Sequence, residues 1–226
     1  MPRSNRMSVT DKGSEMQAQL QQRVQPTQKR AKETIRVILE AAAELLETTS
    51  IDTFNTNMLA KHANVLVRSV YRYFPNKFAV IAAVWEKMVD EWDEWLIPSM
   101  EKLSDPDCDI WVALDSMHPS YLRWLSARKG SWAVRRAIQA TPELLYLEAW
   151  AEDVFVNKLA TALQQRGGTL SRSKLKKIAT IYYRCANGVL HTDFALYGKV
   201  RKGTTDEFNH MLRSYLASYW EDGAAG

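Results

Sequence analysis

The stretch Leu66-Val67-Arg68-Ser69-Val70-Tyr71-Arg72-Tyr73-Phe74-Pro75-Asn76-Lys77 gathers the side chains of this 226-residue chain best suited to recognising a polyanion. Arg68 offers a planar fork that matches guanine O6 and N7, and Val67 suits a thymine methyl. Ser69 can donate or accept. Tyr71, Tyr73 and Lys77 lie further along and suit phosphate oxygens. Lys77 would act by its charge and through the free backbone N–H groups of the helix it opens. This is the chemistry of binding, not of bond-making. The alternative is that these are ordinary surface residues of a small helical bundle.

Signals for catalysis are missing. His62, His118, His191 and His210 are scattered without metal-ligand spacing. Neither a glycine-rich phosphate loop nor a nucleophile elbow occurs. Asp90-Glu91-Trp92-Asp93-Glu94 reads as a solvated helix face. Cys108 and Cys185 are too few for a disulfide framework and read as buried or half-buried thiols. The chain is therefore not expected to be an enzyme, and no cofactor or metal is expected.

Charge agrees with a local polyanion site. Residues 1–77 hold 12 Lys/Arg against 7 Asp/Glu, while residues 78–226 hold 18 against 19. The whole basic excess thus lies in the N-terminal third, although a solvated basic tail would give the same asymmetry. No apolar run approaches the length of a membrane span, and Met1–Thr10 is polar and basic, unlike a signal peptide. A cytoplasmic location is expected.

The elements that must hold these residues read as helices throughout. No β-type alternation occurs, and only 9 Gly and 7 Pro interrupt the chain, so the expected fold is all-α. Residues 1–26 read as a disordered basic arm, either a solvated tail or an arm touching phosphates. From a Thr27 cap to about Glu47, residues Ile35, Ile38, Leu39, Ala42 and Leu45 form one apolar helix face. Asn55 can cap a short second helix with Leu59 and Ala60 inward and Met58 partly covered. Ala63-Asn64-Val65 breaks that helix. Asn tolerates the left-handed backbone that a tight turn between crossed helices needs. A third helix follows over about Leu66–Tyr73. Val65, Val70 and Phe74 would face inward, and Arg68, Ser69, Tyr71, Arg72 and Tyr73 outward. This is a helix-turn-helix, whose second helix fits the DNA major groove.

Ile35-Arg36-Val37-Ile38-Leu39-Glu40-Ala41-Ala42, Phe54-Asn55-Thr56-Asn57-Met58-Leu59-Ala60 and Ser69-Val70-Tyr71-Arg72-Tyr73-Phe74-Pro75-Asn76-Lys77 together resemble the DNA-binding domain of the tetracycline-repressor (TetR) family. The run from Val70 to Lys77 is the most specific part, and the resemblance covers about Thr27–Trp85. It implies a two-fold homodimer, a C-terminal domain that takes a small molecule, and a role as repressor. By matching position it makes Thr56, Asn57, Val67, Arg68, Ser69, Tyr71, Tyr73 and Lys77 the candidate DNA contacts. Three positions depart from the family pattern. Asn64 stands where Gly is usual, Leu66 where a capping Ser or Thr is usual, and Arg68 where Gly is frequent. The domains implied are a basic arm (1–26), a helix-turn-helix domain (27–77) and a helical ligand-binding and dimerisation domain (78–226).

Further helices are expected over Asn76 to about Pro98, Cys108–Ala127 with a possible break at Pro119, Ser131–Gln139, Thr141-capped to about Gly167, Ser171-capped to about Tyr197, and Thr205–Trp220. All 8 tryptophans lie after residue 77. Most would be core. By the resemblance, Trp111, Tyr121, Trp124, Trp132, Phe155 and Tyr183 lie on segments that surround a pocket for an apolar or aromatic effector. Phe208, Met211, Leu212, Tyr215, Leu216 and Tyr219 form one helical stripe, and Ile178, Ile181, Tyr182, Cys185 and Val189 another. They would serve either the monomer core or a homodimer. A dimer fits the need for two half-sites. The function expected is a repressor that binds a palindromic double-stranded DNA operator and answers to an apolar small molecule. Two alternatives remain open: a regulator without such an effector, and a helical binding protein or enzyme that does not use DNA.

Overall fold

The computed structural model describes residues 29–220. Among the described residues all regular structure is helical. The helices are α1 (Lys29–Thr48), α2 (Thr56–His62), α3 (Val67–Tyr73), α4 (Lys77–Asp90), α5 (Asp93–Ser104), α6 (Ile110–Ser126), α7 (Ser131–Gln139), α8 (Leu145–Gln165), α9 (Arg172–Tyr197) and α10 (Lys202–Trp220), with a 3-10 turn at Pro142–Leu144. The expected arm at 1–26 and the Thr27 cap lie outside the described residues. Among the described residues no helix is long and apolar enough to cross a membrane.

The chain forms two compact units. Of the described residues, one takes those up to Trp92 together with Leu125–Ala151, and the other takes Asp93–Trp124 and those from Glu152 onward. In the first unit α1 lays its apolar face on α2, α4 and α7. Ile38, Phe54, Leu59, Phe74, Ile81, Trp85 and Ile138 are fully buried there. Three contacts fix α7 and the start of α8. The Trp85 indole donates to the Leu147 carbonyl at 3.2 Å. The Arg135 guanidinium, 3% exposed, pairs with Glu148 at 3.0 Å and lies 5.4 Å from the Trp85 ring. Gly130, at φ 75°, lies against α1 so closely that a Cβ would stand 2.2 Å from the Ala43 carbonyl oxygen. Its N–H donates to the Glu47 carboxylate at 2.7 Å.

In the second unit Leu96, Leu103, Met117, Phe155, Leu159, Ile178, Tyr182, Leu190, Phe208, Leu212 and Leu216 make the core. Arg166 gathers the carbonyls of Leu103, Asp105 and Cys108, which secures the loop before α6. Asp109 caps α6 by accepting from the Trp111 and Val112 N–H groups. Gly198 closes α9 in the left-handed region at φ 67°. Buried Asp193 accepts from both the backbone and the guanidinium of Arg201 across that turn.

Several expected boundaries are corrected. The helix expected from Asn76 to Pro98 is broken between Asp90 and Asp93. In unbroken helix, residues seven apart stand about 10 Å apart along the axis. The break brings the Trp92 ring edge-on to Trp85 at 6.3 Å and buries both. Asp93 and Glu94 then form an acidic first turn of α5, which suits its dipole. The run of carboxylates is therefore a helix junction, not a continuous face. Pro98 and Pro119 lie inside α5 and α6 instead of ending them. Thr141 does not cap, because its hydroxyl donates back to the Ala137 carbonyl at 2.7 Å. Ser171 does cap, accepting from the Lys174 N–H. α10 starts at Lys202, three residues before the expected Thr205.

Candidate nucleic-acid interface and aromatic cluster

Both ends of α2 are set by local devices. The Asn55 side chain accepts from the N–H groups of Asn57 and Met58 at 3.1 and 3.0 Å. At the other end of α2, Asn64 is the one non-glycine residue with positive φ among the described residues, at 52°. The Val65 N–H bonds the Ala60 carbonyl at 2.9 Å, and the Asn64 N–H bonds Lys61 at 3.3 Å. These two bonds with a left-handed residue between them are a Schellman ending. It turns the chain tightly enough to set α3 across α2. Leu66 precedes α3 and makes no side-chain cap. The Asn76 side chain accepts from the Ala79 N–H and opens α4.

Val70 and Phe74 are buried, as are Leu59 and Ala60 on α2, and the two helices pack together. Arg68 and Arg72 are exposed, as is Asn57 on α2, and Tyr71 is 44% exposed. Val67 and Ser69 are half-buried. Arg68, Tyr71 and Arg72, spaced i, i+3 and i+4, share one helix face. Leu66, 58% exposed, precedes them. Arg72 and Leu66 were not among the expected contacts. The i, i+4 spacing of Arg72 from Arg68 was the available signal for the first.

Three expected contacts sit differently. Tyr73 is buried at 5% exposure, not turned outward. It follows Val70 by three residues and shares its inward face. Thr56 is buried, and its hydroxyl donates to the Tyr71 hydroxyl at 2.9 Å. The Lys77 ammonium is half-buried and donates to the Ile51 carbonyl at 2.7 Å, bracing the connection between α1 and α2. An ammonium has three donors, so this bond does not use up its capacity.

The expected effector residues separate. Tyr121, Trp124, Phe155 and Tyr183 are buried in the second unit. Tyr121 stacks on Trp124 at 6.5 Å, and Phe155 meets Tyr183 at 5.3 Å. Trp95, not foreseen, links the two pairs at 5.2 Å from Tyr121 and 6.4 Å from Phe155. Trp132 belongs to the first unit, on α7, and is half-buried. Trp111 is half-buried with the Arg213 guanidinium 5.9 Å from its ring.

Polar groups border the aromatic cluster. His118 contacts the Asn209 carboxamide oxygen through Nδ1 at 3.1 Å and the Tyr182 hydroxyl through Nε2 at 3.0 Å. Its ring stacks on Tyr182 and meets Phe208 edge-on. Burial pulls the His118 pKa down to about 4, so the ring is neutral near pH 7. A neutral ring can then donate from Nδ1 to Asn209 and accept at Nε2 from Tyr182. The Tyr121 hydroxyl lies 3.2 Å from His191 Nε2. Among the described residues no group of His, Cys, Asp and Glu is arranged to hold a metal ion.

The sequence of these helices matches the family of bacterial regulatory proteins, tetR family, over residues 38–84. Residues 109–216 match the tetracyclin repressor-like C-terminal domain. The chain belongs to the TetR family. TetR-family members are transcriptional regulators that carry this helix-turn-helix. No curated protein sequence matches this one. Solved TetR-family structures share its fold. A transcriptional regulator from Streptomyces coelicolor aligns at TM-score 0.64 with 21% identity, covering 84% of this chain and 99% of its own. One from Mesorhizobium loti aligns at TM-score 0.66 with 15% identity, covering 86% and 98%. SmeT in complex with triclosan aligns at TM-score 0.60 with 18% identity, covering 86% and 95%.

Proposed function

We propose that this TetR-family chain is a cytoplasmic repressor that binds a palindromic DNA operator as a homodimer and is controlled by an apolar or aromatic small molecule. The α2–turn–α3 unit carries the reading. A capped support helix, a left-handed turn at Asn64 and an exposed Arg68–Tyr71–Arg72 face are what a major-groove reader needs. Asn57, Val67, Arg68, Ser69 and Tyr71 are the proposed contacts, and Lys77 adds a cation at the edge. Arg72 and Leu66 join them by exposure. Arg68 would read guanine, and Tyr71 and Arg72 would grip the backbone.

The last two helices supply the proposed dimer contact. Phe208, Leu212, Leu216, Ile178 and Tyr182 are spent on the monomer core, whereas Met211 and Ile181 remain about half exposed. The effector is assigned to the cluster around Tyr121, Trp124, Phe155 and Tyr183. The triclosan complex of SmeT supports a small aromatic ligand for a protein of this fold. Effector binding alters DNA affinity only through unequal affinity for two states of the dimer.

Selection of bound sequences from a random DNA pool tests the DNA reading. A two-fold symmetric consensus is expected, and recovery of no consensus would contradict it. A thermal-shift screen with apolar aromatics tests the effector. A compound that raises the melting temperature and changes operator affinity is expected. A regulator without an effector is favoured if no compound does both. The ring-to-ring contacts of Trp95 with Tyr121 and Phe155 are the observation on that side.

A further inference from the structure

A chain of aromatic contacts leaves α9 at Tyr183 and returns to it at His191. Tyr183 meets Phe155 at 5.3 Å, Phe155 meets Trp95 at 6.4 Å, and Trp95 meets Tyr121 at 5.2 Å. The Tyr121 hydroxyl lies 3.2 Å from His191 Nε2. Asn187 stands midway between Tyr183 and His191, four residues from each. Residues four apart share a helix face, so Tyr183, Asn187 and His191 form the α9 side of this loop of rings. Asn187 as a residue is half-buried, but its amide nitrogen is closed off from solvent and has no hydrogen-bond partner among the described residues. We propose that the Asn187 amide N–H is the polar anchor of the effector, an aromatic molecule that carries a hydrogen-bond acceptor, such as an aryl ketone. This inference rests on the assignment of the effector to the cluster around Tyr121, Trp124, Phe155 and Tyr183.

A buried N–H that has given up water without gaining a partner leaves the folded chain less stable than an apolar side chain of the same shape would. Native structures keep few such groups. An acceptor on the ligand supplies the missing bond, and away from water that bond is strong. The rings provide apolar area and select an aromatic body, while the single placed donor fixes its orientation. A site with a donor to satisfy also rejects the analogue that leaves the donor unpaired. Two other roles are less apt. Ile181, Arg184, Gly188 and Thr192 form the exposed edge of α9, whereas the Asn187 nitrogen lies on the packed side, away from any partner docked on that edge. Holding the fold together is not served either, because a bond that is not made contributes nothing. An unpaired donor beside the ring contacts instead lowers the cost of parting them for a ligand.

Isothermal titration calorimetry on the full chain tests this with two matched pairs of probes, acetophenone with ethylbenzene and benzophenone with diphenylmethane. Within each pair the ketone adds an acceptor and no donor. The proteins are wild type, Asn187→Leu and Asn187→Asp, each with its melting temperature. Leucine keeps the shape of asparagine and removes the N–H, and aspartate puts a carboxylate oxygen in its place. Wild type is expected to bind the ketone about three- to tenfold more tightly than the hydrocarbon in at least one pair, the range for one added hydrogen bond. Asn187→Leu keeps the hydrocarbon affinity and loses the preference, and Asn187→Asp loses ketone binding. Without probe, Asn187→Leu melts at or above wild type, because no unpaired N–H remains buried. The proposal is overturned if wild type shows no ketone preference in either pair, if the preference survives in Asn187→Leu, or if Asn187→Asp binds ketones as wild type does. It is also overturned if Asn187→Leu melts well below wild type or fails to fold, since the scaffold itself, directly or through an ordered water, would then be using the amide. A wild type that binds none of the four probes overturns the assignment of the effector to the cluster. A wild type that binds ketones and hydrocarbons alike overturns the anchor alone.

Discussion

Arg68 stands exposed at the second position of α3, where a recognition helix points its first turn at base edges. Arg68→Ala is expected to lose about 1–3 kcal/mol of specific binding and to relax one base position in the selected site. Equal loss on operator and random DNA would make Arg68 a phosphate contact instead. Gly130 is the opposite kind of residue, far from chemistry and intolerant of change. It has a left-handed φ, and a Cβ would collide with the Ala43 backbone. Gly130→Ala is expected to destabilise the first unit by roughly 2–4 kcal/mol, combining left-handed strain and overpacking. A urea unfolding midpoint equal to wild type would contradict that. Single residues of this kind are hard to read from sequence. Nothing near Gly130 reveals that α1 passes so close, whereas Asn64 was legible because its own side-chain type favours the backbone it adopts.

At the scale of elements, the two asparagines that frame α2 divide the work of shaping the reader. Asn55→Ala removes the acceptor for two N–H groups and is expected to cost about 1 kcal/mol. Asn64→Val places a β-branched residue at φ 52° and is expected to cost more, with parallel loss of operator affinity. Unfolding curves with operator titrations on the same samples would show both effects. An Asn64→Val protein as stable as wild type would remove the turn from the account. The caps and turn residues made α2 and α9 readable in advance, because each depends on neighbours in the chain. The break at Glu91–Trp92 was not readable, because no Gly or Pro marks it in the sequence and only the packing of Trp92 against Trp85 reveals it. The inward turn of Tyr73 was missed for a related reason. An amphipathic tyrosine fits either face, and only the packing around Val70 and Phe74 decides. The outward placement of Arg68 and Tyr71 was thus legible, whereas the bracing of the scaffold by Thr56 and Lys77 was not.

Over the whole molecule, the basic third and the histidine-centred second unit give separate handles on binding and stability. His118 is held neutral, with its pKa lowered from 6.5 to about 4 by burial. The unfolded chain therefore binds a proton that the folded chain refuses between those values. The stability tied to this group is complete above about pH 6.5 and is lost as pH falls toward 4. The full loss is roughly 3 kcal/mol for one group of this kind. Urea midpoints at pH 7.5 and 4.5 are expected to fall further for wild type than for His118→Gln, and an equal fall in both would contradict the assignment. Two-fold assembly is the other proposal that belongs to the whole molecule. One seven-residue helix reads few base pairs, so specificity requires a second copy reading a second half-site.

The central claim, that this chain recognises DNA through α2–turn–α3, is tested most directly by titrating the full chain and Arg68→Ala against a labelled duplex over a series of salt concentrations. Wild type is expected to bind the selected palindrome far more tightly than random DNA, with affinity falling linearly in log salt and Arg68→Ala erasing much of the preference. A flat titration at low salt, where even non-specific binding registers, would contradict the account.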